Sequence, residues 1–254
     1  MGGEKDIHNR YRGTVSVSAR LPEEVTNCSG AVISRTLILT AGHCVCPRLK
    51  AAPPEEGAAV MIDASECAGR ASVGTIVYKA RGGDEDAVGF STQVYGGVIR
   101  PHPELKVLLD GQGGVISSRA DLAVIVLDRP LQEQEGRSIP LADEAVQPGE
   151  LLVIVGHGYD EVANVYDRER RFSRNQVSRI LEAQEGRVLI RQPEGHLYRG
   201  DSGGPCLREL RQGPVLVGIS SRWLGQGGSF TSTHGYRKWL SAELERADRL
   251  ALPQ

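Results

Sequence analysis

The stretch RGDSGGPC, residues 199 to 206, places Ser202 between an aspartate and two glycines. Glycines beside a hydroxyl suggest a backbone folded tightly around a group that is reached from outside. A serine hydroxyl is a poor nucleophile unless a base takes its proton, so the reading of Ser202 becomes a search for a histidine and an orienting carboxylate. Of the six histidines, His43 follows LILTAG, an apolar run ending in small residues, and precedes Cys44. A histidine at the end of a rigid strand is held in one rotamer and can still face a cleft. Asp121 opens DLAVIVLD. An acid beside such a strand becomes buried and then needs a partner such as an imidazole N–H. Taken singly, each has an ordinary reading: a turn serine, a core histidine, a loop-to-strand aspartate. Brought together they would form a nucleophile, a general base and its orienter.

The elements that must position them read as mostly β. The chain has 254 residues and is 40% hydrophobic, enough to bury one large domain or two small subdomains. Thirty-one glycines and thirteen prolines are scattered rather than clustered, which favours short strands joined by turns. Strand candidates are GTVSVSA, GAVISRTLILTA, AAVMID, VGTIVYKA, DLAVIVL, ELLVIVG, RVLIR and PVLVGISS. The tail differs: Tyr236, Leu240, Leu244 and Ala247 recur at helical spacing among charges. Residues 81 to 119 and 159 to 176 are glycine-rich, polar or charged and are expected to be exposed loops. The first holds Asp84, Glu85 and Asp86, read as a solvated turn, with calcium binding as the alternative.

A formal net charge of -2 offers no composition-level case for nucleic acid or an anionic membrane. No apolar run approaches the roughly 20 residues that span a bilayer, and MGGEKDIHNR lacks the apolar stretch of a signal peptide.

LTAGHC around His43, DLAVIVL from Asp121 and GDSGGP around Ser202, in that order, resemble the trypsin-like, or chymotrypsin-fold, serine peptidases. NCSGAVIS, VGHGYD, VLVGISS and the terminal helix extend the resemblance over nearly the whole chain. It implies an all-β fold of two packed six-stranded Greek-key β-barrels and a C-terminal α-helix. One peptidase domain would cover 1–254, with the first barrel about 13–130, the second about 131–234 and the helix about 235–250. The triad would then line the crevice between the barrels. The extra length between His43 and Asp121 is assigned to surface loops at 46–58 and 81–119. The resemblance implies a serine endopeptidase acting on polypeptides: Ser202 attacks, His43 carries the proton and Asp121 sets the imidazole tautomer. The N–H groups of Gly200 and Ser202 would form the oxyanion hole. No cofactor or metal is implied, and a monomer is the default for the fold.

Five cysteines allow at most two internal disulfides. The resemblance implies a Cys28–Cys44 pair. Cys46 and Cys67 are a plausible second pair without a family template, and Cys206 reads as a buried thiol. A structural zinc site on Cys28, Cys44, Cys46 and Cys67 is the rival, poorly matched to paired C-x₂₋₄-C knuckles. Disulfides imply secretion or the periplasm; a cytosolic protein with reduced cysteines is the alternative.

Two departures bear on activity. Family members insert a freed amino terminus beside the aspartate that precedes the catalytic serine, here Asp201. Only Met1 precedes the glycine pair, so the chain is expected either to be zymogen-like or to order its pocket through another cation or hydrogen bond near Asp201. The residue six positions before the serine, at the floor of the family's primary pocket, is His196 rather than an aspartate; Glu194 is close by, and a small shift in loop register would place its carboxylate in the pocket and favour a basic side chain. Ser221, Trp223 and Gly228 are expected along the pocket wall. If His196 and Arg222 both face it, an acidic side chain would be accepted. The competing classes are a catalytically silent trypsin-like domain that binds protein, and an α/β esterase. The latter requires G-x-S-x-G and the order Ser, acid, His. GHGYDE at 156–161 lacks the third glycine of a dinucleotide fingerprint.

Overall fold

The computed structural model describes residues 3–51, 57–81, 84–159, 169–181, 187–191, 200–221 and 228–251. The first half runs through β1 (Glu4–Lys5), β2 (Thr14–Arg20), β3 (Val25–Ser34), β4 (Leu37–Thr40), β5 (Leu49–Lys50) and β6 (Val60–Asp63). A long hairpin of β7 (Arg70–Arg81) and β8 (Asp84–Pro101) follows, then β9 (Lys106–Leu109), β10 (Val115–Arg119) and β11 (Ala123–Leu127). The second half contains β12 (Leu151–Gly156), β13 (Arg171–Leu181), β14 (Arg187–Arg191), β15 (Pro205–Leu210), β16 (Gly213–Ser220) and β17 (Ser229–Ser232), and ends in helix α1 (Arg237–Ala251).

Two closed six-stranded antiparallel barrels result. One follows the order β11-β4-β3-β2-β7-β8, with β8 pairing back to β11. The other follows β13-β12-β15-β16-β17-β14 and closes through β13–β14, with β1 added beside the start of β13. A four-stranded sheet, β10-β9-β6-β5, lies between the His43 turn and β11 in sequence.

The period of two explains why some runs are apolar on both faces. In LLVIVG of β12, Leu152 and Ile154 join the interior of the second barrel with Val177, Val188, Ile190, Val217 and Phe230. The alternate residues Val153 and Val155 join the larger core shared with the first barrel, as do Leu207, Leu216 and Ile219. Burying both faces ties the barrels together, at roughly 25 cal/mol for each Å² of apolar surface removed from water.

Several expectations for the loops are corrected. Residues 84–101 form β8, paired with β7 from Arg70↔Val98 to Arg81↔Asp84, and 106–109 and 115–119 form β9 and β10. The glycines and polar residues hid an alternation in which Tyr95 and Ile99 point inward while Phe90, Val94 and Val98 are exposed. Within 159–176, residues 171–176 belong to β13, with Phe172 packed inward; 160–168 lie outside the described residues. Leu49–Lys50 of the 46–58 segment pairs with β6. The side chains of Asp84, Glu85 and Asp86 lie outside the described residues.

The amino-terminal segment fastens the two barrels. Asp6 and Arg170 form a fully buried ion pair, Arg170 Nε donating to Asp6 Oδ2 at 2.7 Å. The same carboxylate accepts the N–H groups of Arg10 (2.8 Å) and Tyr11 (2.9 Å). Arg170 also donates to the carbonyl of Ile76 in β7 (2.9 Å) and to Asn9 Oδ1 (3.2 Å). Helix α1 is held to the first barrel by His102, whose ring lies 5.2 Å from that of Tyr236 and 4.7 Å from that of Trp239. None of the helices among the described residues is long and apolar enough to cross a membrane.

Candidate active site

His43 sits in the 3-10 turn Gly42–Cys44 directly after β4. The turn packs so closely that a Cβ on Gly42 would lie 2.6 Å from the Leu105 side chain. A disulfide from Cys44 to Cys28 in β3 (Cα–Cα 6.1 Å) staples it to the barrel, and a second joins Cys46 to Cys67. Both bridges consume the thiolates that the zinc alternative requires, so that alternative is excluded.

Asp121 is delivered from the adjacent strand. The preceding residue, Ala120, has φ +46, a left-handed conformation uncommon for a residue with a side chain. Its N–H donates to the Tyr236 hydroxyl at 2.9 Å and its carbonyl accepts the Leu122 N–H at 2.6 Å, which together hold the turn. Asp121 is buried, and both carboxylate oxygens are in use. Oδ1 accepts the His43 backbone N–H at 2.8 Å. Oδ2 lies 2.7 Å from His43 Nδ1 and accepts the Ser221 hydroxyl at 2.8 Å. Burial by itself would raise the carboxyl's pKa. The interaction with His43, its two hydrogen bonds and that of Ser221 outweigh burial and hold the group well below the usual carboxylate range. An ionised carboxylate only accepts, so the proton of a neutral His43 resides on Nδ1 and the lone pair on Nε2.

Ser202 is partly exposed in a turn whose neighbours are buried. Gly200 has φ +99 and Gly203 φ +84; a Cβ on Gly203 would sit 2.2 Å from the Ser29 carbonyl oxygen, so only glycine fits there. The turn is closed by Gly204 N–H to the Asp201 carbonyl (3.0 Å) and Gly203 N–H to the Ser220 carbonyl (2.8 Å). It is also joined to the first barrel: the Ser29 N–H donates to the Ser202 carbonyl at 2.8 Å. The sulfur of Cys44, the residue after His43, lies 3.7 Å from that oxygen. His43 and Asp121, 78 positions apart in sequence, are therefore bonded to one another, and the backbone of the Ser202 turn is joined to Ser29 and approached by Cys44 of the same barrel.

Asp201 is buried and its Oδ1 accepts the Gly158 N–H at 3.0 Å. A Cβ on Gly156 or Gly158 would approach that oxygen to 2.3 or 2.5 Å. The VGHG stretch, which in the sequence only extends the family resemblance, thus also cradles Asp201; the two glycines spaced by one residue were the available signal. The bond from Ser221 to Asp121 was likewise unassigned in the sequence reading. Of the residues expected along the pocket wall, Ser221 donates its N–H to the Ser229 carbonyl (2.9 Å) and the Gly228 carbonyl accepts from the Ile190 N–H (3.0 Å). His196, Glu194, Arg222 and Trp223 lie outside the described residues, as does Met1. Cys206 is a buried free thiol inside the second barrel, and burial pushes its pKa up.

The family model for the trypsin-like peptidase domain matches residues 28–219. The cercarial protease of Schistosoma mansoni is 31% identical over 218 residues, spanning 80% of this chain and 73% of that protein. Among solved structures, that of GrC is similar with a TM-score of 0.65 at 16% identity, covering 96% of this chain and 98% of that one. A scabies mite inactivated protease paralogue is similar with a TM-score of 0.58 at 20% identity, covering 97% and 100%. At such identities the two structures establish a common fold, one that an inactivated protein also has. The matched segment and the curated relative carry the assignment further: the chain belongs to the trypsin-like serine peptidase family.

Proposed function

We propose that this chain is an active serine endopeptidase working through an acyl-enzyme. Polypeptides are the substrates that family membership implies. The observation that carries the reading is the double engagement of His43 by Asp121, through its backbone N–H and through Nδ1, beside the Ser202 turn. In the first step the Ser202 Oγ bonds to the scissile carbonyl carbon and its proton passes to His43 Nε2. The resulting oxyanion is received by the N–H groups of Gly200 and Ser202. Collapse breaks the C–N bond, His43 protonates the leaving amine, and water then repeats the sequence to release the acid. Asp121 stabilises the imidazolium without taking its proton.

The Gly158 N–H on Asp201 supports an ordered serine turn in the chain as it stands, in place of the zymogen-like alternative. Ser221 and Gly228 form the pocket wall in this reading, with His196 and Trp223 completing it. Two disulfides favour an extracellular setting.

Intact-mass analysis after reaction with a fluorophosphonate tests the mechanism. The expected result is one adduct per chain, absent in Ser202→Ala and His43→Ala. No adduct on the folded parent would refute the reading and leave a zymogen-like chain or a silent protein-binding domain. A peptide library scanned at the cleaved position separates acidic from basic or apolar preference.

A further inference from the structure

Ser29 has no part in the mechanism above, yet both its backbone and its side chain are bonded to the serine turn. It lies in β3 between Cys28 and Gly30 and is fully buried. Its backbone is committed twice, donating to the Ser202 carbonyl (2.8 Å) and accepting from the Thr40 hydroxyl (2.8 Å). Its hydroxyl is committed as well. Oγ donates to the Gly200 carbonyl at 2.7 Å and accepts the His157 N–H at 2.9 Å. The incoming N–H occupies an oxygen lone pair, so the hydroxyl proton has one favourable direction, toward Gly200.

The Gly200 carbonyl belongs to the peptide that joins residues 200 and 201. That peptide is flanked by the two whose N–H groups are assigned to the oxyanion hole, those of Gly200 and Ser202. Each flanking peptide is related to the middle one by the φ and ψ of a single residue, Gly200 on one side and Asp201 on the other, so fixing the middle plane constrains where both donors aim. Gly200 at φ +99 has no side chain to restrict it locally, so the restriction must come from elsewhere. Ser29 supplies it from the first barrel, across 171 residues of sequence. The same hydroxyl holds His157, the neighbour of Gly158, whose N–H grips Asp201. One buried oxygen thereby links both supports of the serine turn.

We propose that Ser29 is a positioning residue that sets the oxyanion hole through the Gly200 carbonyl. The proposal rests on the triad reading for its catalytic consequence, while the anchor itself can be measured without turnover. Ser29→Ala removes only the hydroxyl, and Ser29→Thr keeps it. For Ser29→Ala we expect kcat to fall about 10- to 100-fold, less than the 10²- to 10³-fold that follows outright loss of an oxyanion donor. KM should stay within about twofold, since ground-state binding does not use the hole. The inhibition constant of a peptide trifluoromethyl ketone, which forms a tetrahedral oxyanion, should rise by the same factor as kcat falls. Ser29→Thr should recover most of the rate. A merely structural hydroxyl would lower the melting temperature and leave kcat and ketone binding unchanged, and that result overturns the proposal.

Amide hydrogen exchange over residues 200–204, compared between Ser202→Ala and Ser202→Ala with Ser29→Ala, reads the anchor independently of activity. Exchange faster by about tenfold or more is expected on losing the hydroxyl. Unchanged exchange overturns the anchor. Failure of the triad reading is recognised separately, by a parent chain that takes no fluorophosphonate label.

Discussion

Replacing Asp6 with alanine should destabilise the protein by about 3–5 kcal/mol, the range for removing one partner of a buried ion pair. Three donors lose their acceptor: Arg170 Nε and the N–H groups of Arg10 and Tyr11. The guanidinium dominates, because both side chains of the pair are fully excluded from solvent and the charge left behind has no water to turn to. Its remaining bonds, to the Ile76 carbonyl and Asn9, are to neutral acceptors. For 254 residues the unfolding entropy is about 0.5 kcal/mol/K, so this loss lowers the melting temperature by roughly 6–10 °C. Urea unfolding and scanning calorimetry on Asp6→Ala, Arg170→Met and the Asp6→Leu/Arg170→Met double variant measure it. The double variant should be more stable than Asp6→Ala, because no uncompensated charge remains. Raising salt from about 0.15 to 1 M should leave the Asp6→Ala effect nearly unchanged, since screening acts weakly on buried pairs. A loss below about 1 kcal/mol that disappears in salt would refute the reasoning, by showing the pair to be solvated.

Asp121→Asn should lower kcat on the order of 10⁴-fold by releasing the His43 tautomer, with folding retained; steady-state kinetics and circular dichroism check both. Because the folded-state pKa of Asp121 is depressed, its ionic contribution to stability is present above the unfolded value of about 3.9 and is lost as pH falls through the folded value. The stability gap between parent and Asp121→Asn should therefore narrow at acid pH; a gap that widens there contradicts the assignment. Thiol titration should find no reactive thiol in the native protein and one, Cys206, after denaturation without reductant. Breaking Cys28–Cys44, 16 residues apart, should destabilise by about 3 kcal/mol, measured by denaturant unfolding with and without reductant. Gly158→Ala places a Cβ 2.5 Å from Asp201 Oδ1 and should slow fluorophosphonate labelling at least about tenfold, with a stability loss of about 1–3 kcal/mol.

The residues proposed to do the chemistry were legible because each lies in a short contiguous motif whose local shape the chain itself dictates. GDSGGP needs glycine where φ is positive and where another backbone approaches, and LTAGHC and DLAVIVL end or begin on apolar strands. Helix α1 was legible for the same reason, its period being local. The β8 strand was not, since its glycines and exposed Phe90, Val94 and Val98 resemble a loop until pairing with β7 supplies the hydrogen bonds.

What the sequence determined by itself is the family, the barrel class and the candidacy of His43, Asp121 and Ser202. Only the tertiary structure decided what supports them. Asp6 finds Arg170 across 164 residues, Ser29 finds Gly200 across 171, Ser221 finds Asp121 across 100, and Cys46 finds Cys67. A hydroxyl, carboxylate or guanidinium carries no local mark of its partner. Its bond is selected when two barrels close and exclude water, and most buried polar groups are then met by whatever the packing has brought beside them.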